Sequence, residues 1–229
     1  MRIAIVGATG SIGGKIFEHV LRRNDVDSVV VITRKPLSIT AESVHVVIVP
    51  DFGDLNSVSE QTWALVRDAD ALIWAMGTYN LDENANFTYP LDFQRHLALQ
   101  QDNSQALKNK KSKFRFILLG GAFTETDQSR WLYFLPDQRR MKGLLQTRTL
   151  EYAESQDWAA HVVKPRGVLI GNNTFATKVV ETMFLSNLAI RGDELGAFVA
   201  DLAVNGSERN VIENLEMVKT GKRLLAAGA

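Results

Sequence analysis

At 229 residues, 45% of them hydrophobic, the chain is long enough to bury a large core and sits near the upper size of one domain. Its 26 basic and 26 acidic residues balance, which argues against whole-chain attraction to nucleic acid or to a membrane surface. The lack of cysteine excludes disulfides, thiolate metal sites and a cysteine nucleophile, and fits a reducing compartment.

Arg2 to Val6 is a short apolar run with no polar face, the mark of a strand buried on both sides. Ser11 to Arg22 follows as a helix, with Ile12, Ile16, Phe17, Val20 and Leu21 at helical spacing. Two β-branched runs come next, Ser28 to Thr33 and Val44 to Val49. Ser57 to Arg67 reads as a helix and Ala69 to Ala75 as a fourth strand. Gly77 to Pro90 is too polar at its start for a core element and is expected as a loop at the rim of the sheet, where ligands bind in such folds. Leu91 to Lys110 is polar but helix-compatible, and its Lys-rich end suits a helix C-terminus. Phe114 to Leu119 is a fifth strand. Asp137 to Ser155 is a long helix with Met141, Leu145 and Tyr152 on one face, and Ala160 to Val163 is a sixth strand stopped by Pro165. From about Gly167 the pattern is less regular, apart from an amphipathic helix over Asp193 to Val204 with Leu195, Phe198, Val199 and Leu202 as its apolar positions.

This alternation calls for a parallel sheet with helices on both faces. The expected fold is a doubly wound, Rossmann-type α/β domain over residues 1–229, with a short C-terminal substrate-side region. No apolar run approaches the ~20 residues of a membrane span. Glycines break the first apolar run too early for an export signal, so a cytoplasmic setting is expected.

The segment Gly7-Ala8-Thr9-Gly10-Ser11-Ile12-Gly13 follows the first strand directly and opens the first helix. In that context the glycines form a phosphate loop for a dinucleotide. Gly7 permits the turn, Gly10 lets the backbone approach a pyrophosphate, and Gly13 lets the helix pack on the strand. The helix N-terminus offers N–H groups and a positive dipole end, to which Thr9 and Ser11 add hydroxyls. The second strand ends Thr33-Arg34-Lys35-Pro36, without the acid that binds a ribose 2′-hydroxyl in NAD-specific sites. Arg34 suits a 2′-phosphate through its planar fork, and Lys35 adds charge, so NADP(H) is the expected cofactor.

The Gly-x-x-Gly-x-x-Gly spacing, Arg34, Asp54-Leu55 after the third strand, Ala75-Met76-Gly77 after the fourth, Lys142 in the long helix and Val163-Lys164-Pro165-Arg166-Gly167 after the sixth come in order along the chain. In these features the chain resembles the atypical short-chain dehydrogenases/reductases, near the NmrA-like and biliverdin-reductase-B-like proteins. The resemblance implies a Rossmann-type fold, NADPH binding and hydride transfer. It implies adenine contacts at Asp54 and Leu55, and nicotinamide-side contacts at Ala75, Met76, Gly77 and Lys164. Active members of the wider superfamily use Tyr-x-x-x-Lys, in which the Lys holds the ribose and lowers the Tyr pKa. Lys142 stands where that Lys belongs, but the residue four earlier is Gln138, and Gly120-Gly121-Ala122 replaces the usual Ser segment.

Three readings stay open. The chain reduces a small, largely apolar carbonyl or conjugated compound with a proton from elsewhere, with Tyr133, Tyr79 and His96 as candidates by type and position. It performs a redox-neutral cyclisation or isomerisation over bound NADP(H). Or it is a non-enzymatic NADP(H) sensor. The expected partner is a small molecule, with neither nucleic acid nor membrane, in a monomer or homodimer. His19, His45, His96 and His161 share no metal-ligand spacing, so no metal is expected. Lys108, Lys110, Lys111 and Lys113 read as a solvated helix end. Trp131, Tyr133, Phe134 and Leu135 form an apolar cluster that suits a lid, a core contact or a dimer contact equally. Thr124 and Thr126 lie at the carboxyl end of the sheet, facing substrate or bonding their own backbone.

Overall fold

Apolar runs with no polar face cannot sit at a surface, and here they stack side by side in one sheet covered on both faces. A computed structural model describes residues 1–37, 39, 41–78, 82–102, 112–171 and 188–228. Its main sheet contains β1 (Arg2–Val6), β2 (Ser28–Thr33), β3 (Val44–Ile48), β4 (Ala71–Trp74), β5 (Arg115–Leu119), β6 (Ala159–Lys164) and β9 (Val211–Glu213). The strands lie in the order β3-β2-β1-β4-β5-β6-β9, and every neighbouring pair is parallel. This is the Rossmann-type α/β fold. Val6 pairs with Ile32 on one side and with Trp74 on the other. The strand order therefore reverses at β1, and the crevice outside its carboxyl end is the topological switch point. A separate two-stranded parallel sheet joins β7 (Gly167–Leu169) to β8 (Ala189–Arg191).

Helices α1 (Ser11–Leu21), α5 (Gly192–Asn205) and α6 (Asn214–Ala226) pack together on one face, over Ile3, Ile5, Val31, Ile73 and Ile117. On the other face, α2 (Glu60–Arg67), α3 (Tyr89–Asp102) and α4 (Pro136–Ser155) cover Ala4, Val6, Ile32, Leu72, Trp74 and Leu118. Alternate residues of each strand thus feed opposite layers, as the two-residue side-chain period requires. An aromatic cluster fills the second layer: Trp74 meets Phe52 at 5.6 Å and Phe93 at 5.4 Å between ring centroids. Local signals set the helix starts. Ser59 caps α2 by accepting from Thr62 N–H at 3.3 Å, and Pro136 occupies the first turn of α4.

The structure differs from the sequence expectation in several places. The rim segment expected to be a loop through Pro90 turns helical early: a π-helical turn over Asn84–Thr88 runs directly into α3. The Asp82 carboxylate drives this, accepting from the N–H groups of Asn84 and Ala85 at 3.0 and 3.4 Å. The helix expected from Ser57 begins at Glu60, after a 3-10 turn over Leu55–Ser57. The less regular end of the chain contains β7, β8, β9 and α6, whose strands are only three residues each and too short to carry a period. Trp131, Tyr133 and Phe134 are exposed, which removes core packing as their role. Tyr79, Lys108, Lys110 and Lys111 lie outside the described residues. Among the described residues no helix is long and apolar enough to cross a membrane.

Candidate functional site

The glycine loop spans the gap between the end of β1 and the start of α1. Gly7 has a φ of +91°, a left-handed conformation that a side chain would resist. A Cβ on Gly7 would also stand 2.7 Å from the Ala75 carbonyl carbon and the Met76 nitrogen, so the loop lies against the turn after β4. At Gly13 a Cβ would come within 2.1 Å of the Gly7 carbonyl oxygen. Gly10 donates its N–H to Gly7 O at 3.0 Å and accepts from Gly14 N–H at 2.7 Å. Gly10 is the N-cap of α1, no side chain caps this terminus, and the first turn carries no acidic residue. Thr9, Gly10 and Ser11 are exposed. The result is an open helix N-terminus with donors and a positive dipole end facing solvent.

The register of β1 on β2 brings the end of β2 beside this loop. Thr33 Oγ1 donates to Lys35 O at 3.1 Å and accepts from Lys35 N–H at 3.3 Å, fixing the turn that presents Arg34. Arg34 and Lys35 are exposed, and among the described residues Arg34 has no acidic partner. Asp54 is exposed at the start of the 3-10 turn after β3, whereas Leu55 is buried.

Beyond the loop lies a cavity of about 220 Å³. Ser11 and Ile12 border it on one side, and Trp74, Met76, Gly77 and Thr78 on the next. Asn86 and Pro90, Leu118 to Gly120, and Lys142 and Leu145 complete the wall. Among the described residues, Lys142 is the one charged residue in this lining. Its Nζ lies beside Gly121, 3.3 Å from where a Cβ there would stand. The residue is exposed along much of its length, yet partial burial of the ammonium lowers its pKa from the ordinary lysine value. Asn86 ties the rim together: its Oδ1 accepts from Thr78 N–H at 2.9 Å, and its Nδ2 donates to Thr78 Oγ1 at 3.0 Å and to Asp82 O at 2.9 Å. The π-helical turn presents this side chain, a distortion that recurs at functional sites.

The structure thus gathers Ser11, Ile12, Met76, Gly77 and Lys142 around one cleft, with Gly7, Gly10, Gly13 and Ala75 in the adjoining backbone. Other residues singled out in the sequence lie elsewhere. Tyr133 is 90% exposed, in ring contact with Trp131 and outside the lining. His96 stacks on Trp63 at 5.1 Å and is outside the lining. Lys164 Nζ pairs with Glu213 at 2.8 Å, across β6 and β9. Thr124 Oγ1 donates to Gly121 O at 2.8 Å and so serves its own turn. His19 meets Asp193 at 3.3 Å, and His161 Nδ1 lies 2.9 Å from Arg209 O. Among the described residues no three His, Cys, Asp or Glu side chains are grouped as for a metal ion. Asn86 and Trp74 were not singled out in the sequence, because neither stands in a motif and only the folded arrangement brings them to the cleft.

The sequence matches no family profile, and no curated protein is similar to it. Solved structures share its fold. The Bordetella bronchiseptica enzyme WbmF, solved in complex with NAD+, superposes with a TM-score of 0.64 at 12% identity over 100% of this chain and 79% of that one. A short-chain dehydrogenase/reductase from Saccharomyces cerevisiae gives 0.61 at 13% identity, covering 93% and 95% of the two chains. Vestitone reductase from alfalfa (Medicago sativa) gives 0.59 at 14% identity, covering 93% and 74%. At such identities the likeness establishes the Rossmann-type α/β fold and nothing finer.

Proposed function

We propose that this chain is an NADP(H)-dependent oxidoreductase that reduces a small, largely apolar carbonyl or conjugated compound without the tyrosine of the Tyr-x-x-x-Lys pattern. The observation that carries this reading is the uncapped N-terminus of α1, held at the switch point by glycines at which a Cβ would collide with backbone. Such a cradle suits a pyrophosphate, and the neighbouring groups suit the rest of a dinucleotide. The first-turn N–H groups, Thr9 and Ser11 would hold the phosphates. Arg34, helped by Lys35, would hold a 2′-phosphate. Asp54 and Leu55 would flank the adenine, and Ala75, Met76 and Gly77 the nicotinamide ribose, with Lys142 on its hydroxyls. The stem of Lys164, near Gly120, would border the nicotinamide side. Solved neighbours in complex with NAD+ and NADH support a nicotinamide dinucleotide in a fold of this kind.

When bound, NADP(H) supplies or accepts the hydride. The chain's own contribution is position, exclusion of water and a proton. No tyrosine lines the cleft among the described residues. Lys142 Nζ is the protonated group that borders it, and partial burial makes that ammonium a stronger acid than an ordinary lysine. We place the chain near the NmrA-like and biliverdin-reductase-B-like branch, in the cytoplasm, acting on a small molecule as a monomer or homodimer. A second reading is a redox-neutral cyclisation or isomerisation over bound NADP(H).

Calorimetric titration of NADPH, NADP+ and NADH into the wild type and Arg34→Ala tests the site. NADPH binding weakened by about 1–3 kcal/mol in the variant, the scale of a lost charged partner, is expected. No binding of any dinucleotide would overturn the reading. Loss of NADPH absorbance with a panel of carbonyls and enones supports the reductase, and product without that loss supports the redox-neutral reading.

A further inference from the structure

The loop between β5 and α4 holds apolar side chains out in water. Trp131, Tyr133 and Phe134 are between 60% and 90% exposed, and Leu135 is exposed beside them. The loop does not fold back to hide them, because polar side chains pin its base. Gln128 Nε2 donates to Glu125 O and to Arg140 O at 3.2 Å each, and Arg140 Nη2 donates to Arg130 O at 3.0 Å. Arg130 pairs with the buried Glu125 carboxylate at 3.2 Å. Both ends of the loop are held in left-handed backbone that side chains resist, with φ of +61° at Phe123 and +47° at Leu135. A pinned apolar tip kept exposed in this way marks a contact surface. None of Trp131, Tyr133, Phe134 and Leu135 lines the cleft, which leaves a partner surface as their role.

We infer that this tip is the contact between two copies of the chain, packed about a two-fold axis. Area and charge both select that occupant. With side chains of ordinary size, the four tip residues offer on the order of 500–600 Å² of accessible apolar surface. Two copies together therefore bury about 1,000 Å² before any neighbouring residue is counted, which is the threshold of a specific interface. The residue types agree: Trp, Tyr and Phe with arginines around them are what carries binding at such contacts. The rim has both signs. Asp137 is exposed in the first turn of α4, and Arg139 and Arg140 follow it half-buried. Among the described residues none of the three has an ion-pair partner. Asp127 is exposed in the part of the loop before the tip. A two-fold axis sets the patch against itself turned around, so the acids of one copy meet the arginines of the other. A bilayer fits less well, because anionic headgroups would repel Asp127 and Asp137. The inference chooses between the monomer and the homodimer of the proposed function, and it rests neither on the dinucleotide nor on the reaction.

The test is sedimentation velocity of the full chain over a concentration series, without nucleotide. The wild type is compared with the double variant Trp131→Ser/Phe134→Ser and with Asp137→Arg. A reversible dimer with a dissociation constant on the order of micromolar is expected for the wild type. The double variant should weaken it by at least about a hundredfold, the scale of two lost aromatic anchors. Both side chains are exposed, so its thermal unfolding at low concentration should match that of the wild type. Asp137→Arg sets like charges against Arg139 and Arg140 of the other copy and should weaken the dimer about tenfold. It reads the same contact if the double variant proves unstable. A wild type that stays monomeric, or a dimer equally strong in the wild type and either variant, would overturn the inference. So would a monomer that binds vesicles of phosphatidylcholine and phosphatidylglycerol through Trp131, which would assign the tip to a lipid surface.

Discussion

Gly143 of α4 and Glu125 of the loop after β5 lie backbone against backbone: a Cβ on Gly143 would stand 1.7 Å from the Glu125 carbonyl oxygen. Glu125 N–H also donates to Arg139 O at 2.9 Å, and its buried carboxylate pairs with Arg130 at 3.2 Å. This clamp fixes the height of α4 over the sheet. It thereby sets Lys142, the preceding residue, beside Gly121. Gly143→Ala is expected to destabilise the fold by about 1–3 kcal/mol, the usual cost of overpacking, and to weaken dinucleotide binding as Lys142 moves. Thermal unfolding and NADPH titration read the two effects. An unchanged melting temperature would mean that the two segments do not touch.

The glycine loop offers a paired test on adjacent residues. Gly13→Ala places a methyl 2.1 Å from Gly7 O, so α1 must shift away from β1. Gly14→Ala meets only Ala8 O at 3.4 Å, an ordinary contact. The first substitution should abolish NADPH binding, and the second should leave it within a few-fold of the wild type. Similar affinities for both would count against the loop as the phosphate cradle.

Burial lowers the Lys142 pKa, so its amine is free at a lower pH than that of an ordinary lysine. At mildly alkaline pH an amine-reactive reagent should therefore label Lys142 ahead of Lys219 and Lys222 on α6. Bound NADPH should then protect it. Peptide mass spectrometry over a pH series decides this, and labelling of Lys142 that lags behind the α6 lysines would contradict the lowered value.

Asn86 spends three hydrogen bonds on the rim of the cleft. Asn86→Ala should release Thr78, whose amide would exchange with solvent faster, with a loss of about 1–2 kcal/mol in stability from these partly exposed bonds. Unaltered exchange at Thr78 would show that the rim is held by something else.

His161 is buried and its pKa is lowered, first by desolvation and then by Arg115, against a hydrogen bond to Arg209 that raises it. A folded-state pKa below the unfolded value of 6.5 means that the neutral ring contributes stability above that pH, and this is lost as pH falls through the depressed value. The melting temperature of the wild type should therefore drop more steeply between about pH 7 and about pH 5 than that of His161→Gln. Parallel slopes would assign the acid sensitivity to other groups.

What could be read in the sequence was local. The β-branched runs at Ser28–Thr33 and Val44–Ile48 declare strands because burial on both faces tolerates no polar side chain. The order of strands and helices calls for a parallel sheet, and the glycine spacing places a turn where β1 meets α1. Arg34 follows from its position directly after β2. What only the tertiary structure decided depends on segments far apart in the chain. Lys164 reads as a nicotinamide-side residue, and only the fold shows its Nζ paired with Glu213, forty-nine residues away. Tyr133 reads as a possible donor until its loop leaves it in solvent. Trp74 and Asn86 join the cleft only because β4 and the start of α3 converge there. Backbone conformation follows from neighbouring residues, but the partner of a side chain is set by which distant segment packs beside it, and no local pattern carries that information.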